Sequence, residues 1–169
     1  KPVFVDSLPD TWNLDPAAVE KAITRKTRAI IAVHLYGHPA HMDELMTIAA
    51  RHGLQVIEDA CEAHGGEYKG AKVGGVGTIG CFSFYGNKII TTGEGGMLVT
   101  KNRSIADKAR LLRDHGMSRK RKYWHTHLGF NYRMTNLQAA LGVAQMERIE
   151  RVVSRKRRHA QLYNSLLEK

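Results

Sequence analysis

Cysteine is scarce in this chain. Only Cys61 and Cys81 occur in 169 residues, with no CxxC pair and no Cys/His spacing suited to a metal. That excludes a disulfide framework, fits a reducing cytoplasm, and leaves both thiols to be read as small packed side chains. Long apolar runs are missing as well. The longest, Ala29 to Leu35, is strand-sized against the ~20 residues a membrane helix needs, and the start lacks a signal-peptide pattern. No membrane association is expected. Acidic residues are sparse in one region only: residues 101–169 carry 17 Lys/Arg against 5 Asp/Glu, whereas residues 1–100 carry 9 against 11. A basic third invites a nucleic-acid reading. However, Arg155-Lys156-Arg157-Arg158 lies in a helical pattern without interleaved aromatics, so a solvated helix face is expected there and nucleic acid is not.

What is present alternates between helix and strand. Phe4 to Asp6 reads as a short strand. Asp15 caps a helix with Pro16 in its first turn. Arg28 to Leu35 is a nearly unbroken apolar run, the pattern of a strand covered on both faces. Met42 to His52 has helical spacing and Gly53 supplies its stop. Leu54 to Asp59 and Cys81 to Tyr85 read as further strands, and Gly95 to Thr100 completes a hairpin around the Lys88 loop. A helix follows over about Ser104 to His115. Met117 to Met134 is basic, aromatic and irregular, too long for a simple connector. From Thr135 a long helix runs on, with a break near Arg151. This is an open α/β sheet, and ligands of such sheets gather beyond the carboxyl ends of the strands.

Two residues at those ends carry chemistry. Asp59 closes an apolar strand beside Glu58. It reads either as a helix cap or metal-site carboxylate, or as the anion that keeps a cofactor pyridine protonated. Lys88 lies between an apolar strand and the glycines at 93, 95 and 96. A lysine so placed is expected to be partly desolvated, which suits its amine to imine formation. The alternative is a surface lysine on a turn. Ser83 offers a hydroxyl that suits either a phosphate or simple packing.

Four blocks in fixed order resemble the DegT/DnrJ/EryC1/StrS sugar aminotransferases: Val33 to Pro39, Ile57 to Gly65, Phe82 to Gly96, and Gly129 to Asn136. The resemblance implies an α/β fold, the large domain of fold-type-I pyridoxal-phosphate transferases. Residues 1–150 are expected to form its central part, and 151–169 to start a helix leading toward a smaller domain. It also implies roles. Lys88 would carry pyridoxal 5'-phosphate covalently and Asp59 would pair with its ring nitrogen. Ser83 would bind its phosphate, Glu62 would lie near its ring hydroxyl, and Asn131 would reach the phosphate of a neighbouring subunit in a homodimer with a shared active site. The implied partners are a nucleotide-linked keto-sugar and an amino-acid donor, L-glutamate, in surface polysaccharide biosynthesis. The basic surface would then serve phosphorylated ligands. His125 and His127 stand in the 122–132 loop near the expected sugar-nucleotide site, without an assigned role. Lacking an initiator Met and stopping inside a helix, the chain reads as a fragment truncated at both ends and inactive alone. Two other readings stay open: a fold-sharing regulatory relative that makes no product, and a sugar dehydratase. Lys88 argues against the dehydratase, whose best-known form replaces the lysine with histidine.

Overall fold

The computed structural model describes residues 1–168. Helix α1 (Pro16–Ala22) begins as its sequence predicts: the Asp15 carboxylate accepts from the Ala17 N–H at 2.8 Å, and Pro16 occupies a position that needs no N–H. Strand β1 (Ala29–Val33) leads through a short 3₁₀ turn (Leu35–Gly37) into α2 (Met42–His52) and β2 (Gln55–Asp59). Gly53 ends α2 with φ at +64°, a conformation that suits a residue without a Cβ. A two-stranded hairpin, β3 (Glu67–Tyr68) and β4 (Ala71–Lys72), precedes β5 (Ile79–Ser83) and β6 (Gly96–Val99). Helices α3 (Arg103–Leu112), α4 (Asn136–Met146) and α5 (Ile149–Leu167) complete the order.

The main sheet runs β1-β2-β5-β6. Its first three strands are parallel and β6 is antiparallel to β5. Helix α2 is the crossover between β1 and β2, and the core forms where it meets the sheet. Ile30, Ala32 and Val56 of the strands pack on Met42, Leu45, Ile48 and Ala49, with Val19 of α1 alongside. Met42 and Leu45 are fully buried, each worth about 1.5–3 kcal/mol of transfer free energy. Because β2 and β5 are parallel, Asp59 and Ser83 both emerge at the sheet's carboxyl end.

Several expectations need correction. Phe4 to Asp6 forms no strand: Val3 and Phe4 are exposed, and the only pairing nearby is a bridge from Ser7 to Leu14. Among the described residues of this chain no strand lies beside Phe4 to Asp6 to form a ladder. Within this chain, β1 is covered on one face. In β1, Ile30 and Ala32 are buried while Ile31 and Val33 on the opposite face stay exposed. The unbroken apolar run hid this two-residue alternation. The first strand around Ser83 ends there rather than at Tyr85, α3 closes at Leu112, and the break in the last helical stretch falls at Glu147–Arg148. No described helix is long and apolar enough to cross a membrane.

Candidate active site

The strand-end acids point to opposite sides of the sheet. Glu58 faces the core with no exposed surface, where an unpaired carboxylate is very costly. Four donors meet it. The N–H groups of Gly74, Val76 and Gly77 donate at 2.6, 2.8 and 2.5 Å, and His34 Nε2 lies 3.1 Å from Oε2. The Ala40 N–H donates to His34 Nδ1, so the ring proton sits on Nε2 and is given to Glu58. Burial pushes the Glu58 carboxyl upward, but the His34 bond and the backbone donors prevail and hold it below its ordinary value. Gly80, opposite Glu58 in the β2–β5 register, makes the arrangement possible. A Cβ there would strike the Gly74 carbonyl, so the 74–77 loop reaches Glu58 only over a glycine.

Asp59 faces the other way. The Cys61 N–H donates to its Oδ1 at 3.1 Å, and among the described residues Oδ2 accepts no hydrogen bond. Cys61 does not compete for chemistry here. Burial, then the neighbouring Asp59, pushes its thiol up to about 12, and burial raises Cys81 as well. Both thiols stay protonated near neutral pH, as packed side chains should.

Lys88 is held by a loop with its own scaffold. The Phe84 N–H donates to the Gly95 carbonyl, the Thr92 N–H to Phe84, and the Lys88 N–H to Tyr85, at 2.8, 2.9 and 3.0 Å. Ile90 and Thr92 are buried and anchor the turn. Helix α4 clamps it from outside: Gln145 accepts from the Thr91 N–H at 3.1 Å and donates to the Thr91 carbonyl at 2.7 Å. The helix is fixed in turn by a reciprocal cap between Thr135 and Gln138.

The Lys88 side chain, 19 % exposed, enters an open cleft of about 490 Å³. Its Nζ stands 3.8 Å from Glu62 Oε1, and the other Glu62 oxygen accepts from the Tyr36 N–H at 2.9 Å. Tyr36 makes that bond from φ +51°, a region side chains seldom occupy and one that recurs at binding sites. Val153, Lys156 and Arg157 of α5 form the opposite wall, with Val153 seated against Gly65.

His64 lines the same cleft. It is 5 % exposed, lies beside the Phe82 and Phe84 rings, and neither ring nitrogen has a partner. Burial, with the charge on Lys88 acting the same way, lowers its pKa.

The cleft therefore unites Lys88 and Glu62. Asp59 and Ser83 stand beside it at the strand ends, where Ser83 Oγ accepts from the Tyr85 N–H at 3.2 Å. Asn131 is exposed in the 117–134 loop, bridged to Asp114, and does not line the Lys88 cleft of its own chain. His125 bonds the His115 carbonyl through Nδ1 at 2.8 Å, and His127 bonds Thr126. Sequence reasoning missed Tyr36, His64 and the Glu58–His34 pair. For Glu58 a signal existed: in β2 it shares the inward phase of Val56.

The sequence matches the DegT/DnrJ/EryC1/StrS aminotransferase family over residues 1–169. It is 52 % identical over 166 residues to a GDP-perosamine synthase of Caulobacter vibrioides, and 48 % identical over 171 residues to one of Escherichia coli O157:H7. These alignments cover 98 % and 99 % of this chain but 45 % and 47 % of those proteins. The structure superposes on that of Helicobacter pylori PseC, an aminotransferase involved in the biosynthesis of pseudoaminic acid, with a TM-score of 0.95 and 32 % identity. That match covers 100 % of this chain and 46 % of the other. The chain thus spans somewhat under half the length of the relatives it matches, and its α/β fold is that of pyridoxal-phosphate-dependent sugar aminotransferases. On this sequence and this fold, the chain belongs to the DegT/DnrJ/EryC1/StrS aminotransferase family.

Proposed function

We propose that the protein bearing this chain transfers an amino group from L-glutamate to a nucleotide-linked 4-keto-6-deoxy sugar, with Lys88 and Asp59 as its catalytic residues. The observation that carries the reading is the pairing of a largely buried lysine amine with Glu62 in a cleft, beside a strand-end carboxylate that keeps one oxygen free. The donor set fits pyridoxal phosphate group by group. The Lys88 amine suits its aldehyde, Asp59 Oδ2 its ring N–H, Glu62 its ring hydroxyl, and Ser83 with a partner's Asn131 its phosphate. When bound, the cofactor supplies an electron sink for charge left by a departing proton. With the cofactor held there, the Lys88 amine would take the proton from the donor α-carbon and, in the second half-reaction, give one to the sugar carbon. Asp59 would hold the ring nitrogen protonated throughout.

The identity to two GDP-perosamine synthases supports a GDP-linked sugar as substrate, and a role in surface polysaccharide formation is part of the same proposal. A homodimer with a shared site and a cytoplasmic setting belong to the same reading, as does a smaller domain reached through residues 151–169. The test is transfer of ¹⁵N from labelled glutamate to the 4-keto sugar, in a chain extended to the relatives' length. Label in the amino sugar is expected. Loss of water from the sugar without label would favour the dehydratase reading, and no product at all the regulatory one.

A further inference from the structure

Among the described residues, His64 is the one buried side chain whose polar atoms lack a hydrogen-bond partner. It borders the Lys88 cleft and packs on Phe82 and Phe84, with ring centroids 5.4 and 6.0 Å away. Beside two phenylalanines, a third apolar ring would fill the same space without burying unpaired nitrogens, which is costly. The imidazole therefore calls for a partner.

The sheet identifies one. Hydrogen bonds of β5 alternate between its edges. On the β2 edge the Cys81 carbonyl accepts from the Ala60 N–H at 2.9 Å, and on the β6 edge the Phe84 N–H donates to the Gly95 carbonyl at 2.8 Å. Ser83, two residues beyond Cys81, thus turns its carbonyl to the β2 edge. That strand ends at Asp59, and the chain turns away, with the Ala63 N–H donating to the Ala60 carbonyl at 3.0 Å. Among the described residues no N–H beyond the end of β2 donates to the Ser83 carbonyl. The turn delivers His64 to this edge instead, against the residues on either side of Ser83. Burial lowers the pKa of the ring, while the Ser83 carbonyl acts the opposite way, as an acceptor facing a ring N–H does. The hydrogen bond itself is not closed.

We propose that His64 is a positioning residue acting through Ser83: its ring N–H takes the ladder place at the Ser83 carbonyl that β2 does not reach, and so sets the Ser83 hydroxyl for a cofactor phosphate. The inference rests on the aminotransferase reading, in which Ser83 meets the phosphate and Lys88 the aldehyde. A residue that acts through Ser83 affects the phosphate end alone. The bond closes when the phosphate draws Ser83 into place, so nitrogens that burden the fold contribute to binding.

The test is equilibrium titration of the extended protein with pyridoxal phosphate and with pyridoxal, which lacks the phosphate. His64→Phe should weaken pyridoxal phosphate about 3- to 10-fold, the loss of one hydrogen bond, and leave pyridoxal unchanged. In a Ser83→Ala background the same change should cost less than about 2-fold, because its route is already cut. His64→Asn or His64→Gln, whichever sets its amide N–H toward the carbonyl, should recover most of the loss. The melting temperature of cofactor-free His64→Phe should hold or rise, since a buried unpaired group is removed. His64→Leu gives the same comparisons if the larger phenyl ring prevents folding.

Unchanged affinity for pyridoxal phosphate, equal loss of both ligands, or an undiminished effect in Ser83→Ala would overturn the inference and leave the aminotransferase reading intact. So would a lower melting temperature in both apolar variants, the mark of a residue needed for packing alone. A parent protein that binds neither ligand at Lys88 would sink the aminotransferase reading, and the inference with it.

Discussion

The two sides of the sheet at the end of β2 treat adjacent carboxylates in opposite ways. On the covered side, Glu58 meets three backbone N–H groups and His34, and no acceptor capacity is left for a ligand. On the open side, Asp59 takes one N–H and keeps Oδ2 unengaged. One residue of offset on a strand turns a side chain from core to open face, so neighbouring acids are placed one for structure and one, on the proposed function, for chemistry. Saturation with donors marks the structural acid, and an unspent oxygen beside a lysine cleft is what the proposed function asks of the other.

The comparison breaks most visibly at Lys88, on the open side. Lys88→Ala in the extended protein is expected to abolish amino transfer while leaving thermal unfolding within a degree or two, because the side chain lines a cleft rather than filling the core. Measurable turnover by that variant would move the chemistry elsewhere. On the covered side, Glu58→Ala is expected to cost about 3–5 kcal/mol, since it strands the N–H groups of Gly74, Val76 and Gly77 and the His34 proton. Denaturant unfolding measures this. A loss below 1 kcal/mol would show that the 74–77 loop does not depend on Glu58. Asp59→Asn should do the reverse: stability nearly constant, and turnover down about 10- to 100-fold for a lost charge-assisted contact of ~1.5–3 kcal/mol. Equal effects of the two substitutions on stability would erase the contrast.

Acid sharpens the same contrast more gently. The folded carboxyl of Glu58 lies below its ordinary value of 4.5. Its contribution is therefore fully present above that value and is lost as pH falls through the lower folded value. Glu58→Gln should flatten this acid limb in a series of melting temperatures against pH, and Asp59→Asn should leave it in place. The smallest effect is expected at Gln145. Its removal loses two bonds to Thr91, about 1–2 kcal/mol, and loosens the Lys88 loop without touching the cleft wall. Hydrogen exchange at Thr91 would report it directly.

What could be read beforehand was local. The Asp15–Pro16 helix start, the Gly53 stop, and the emergence of Asp59 and Ser83 at the sheet's carboxyl end all follow from short-range pattern and strand polarity. Side-chain direction in the sheet was harder. Ile31 and Ile57 make both faces apolar, so the alternation that sends Glu58 inward and Asp59 outward was masked in composition. The Glu58 site was illegible for another reason: its donors come from Gly74 to Gly77, which reach it only because Gly80 permits a close backbone approach. The charged face of α5 was visible as a run of cations. Which of them meet the Lys88 cleft depends on Val153 seating against Gly65, a contact across 88 positions of sequence.

The central claim is that the open side of the sheet presents Lys88 as the residue that captures the cofactor. The extended protein, reduced with borohydride in the presence of pyridoxal phosphate and digested, tests it by peptide mass spectrometry. The account predicts one dominant modified peptide, containing Lys88, and its disappearance in Lys88→Ala. Label spread over exposed lysines such as Lys120 and Lys122, or unchanged labelling of the variant, would contradict it.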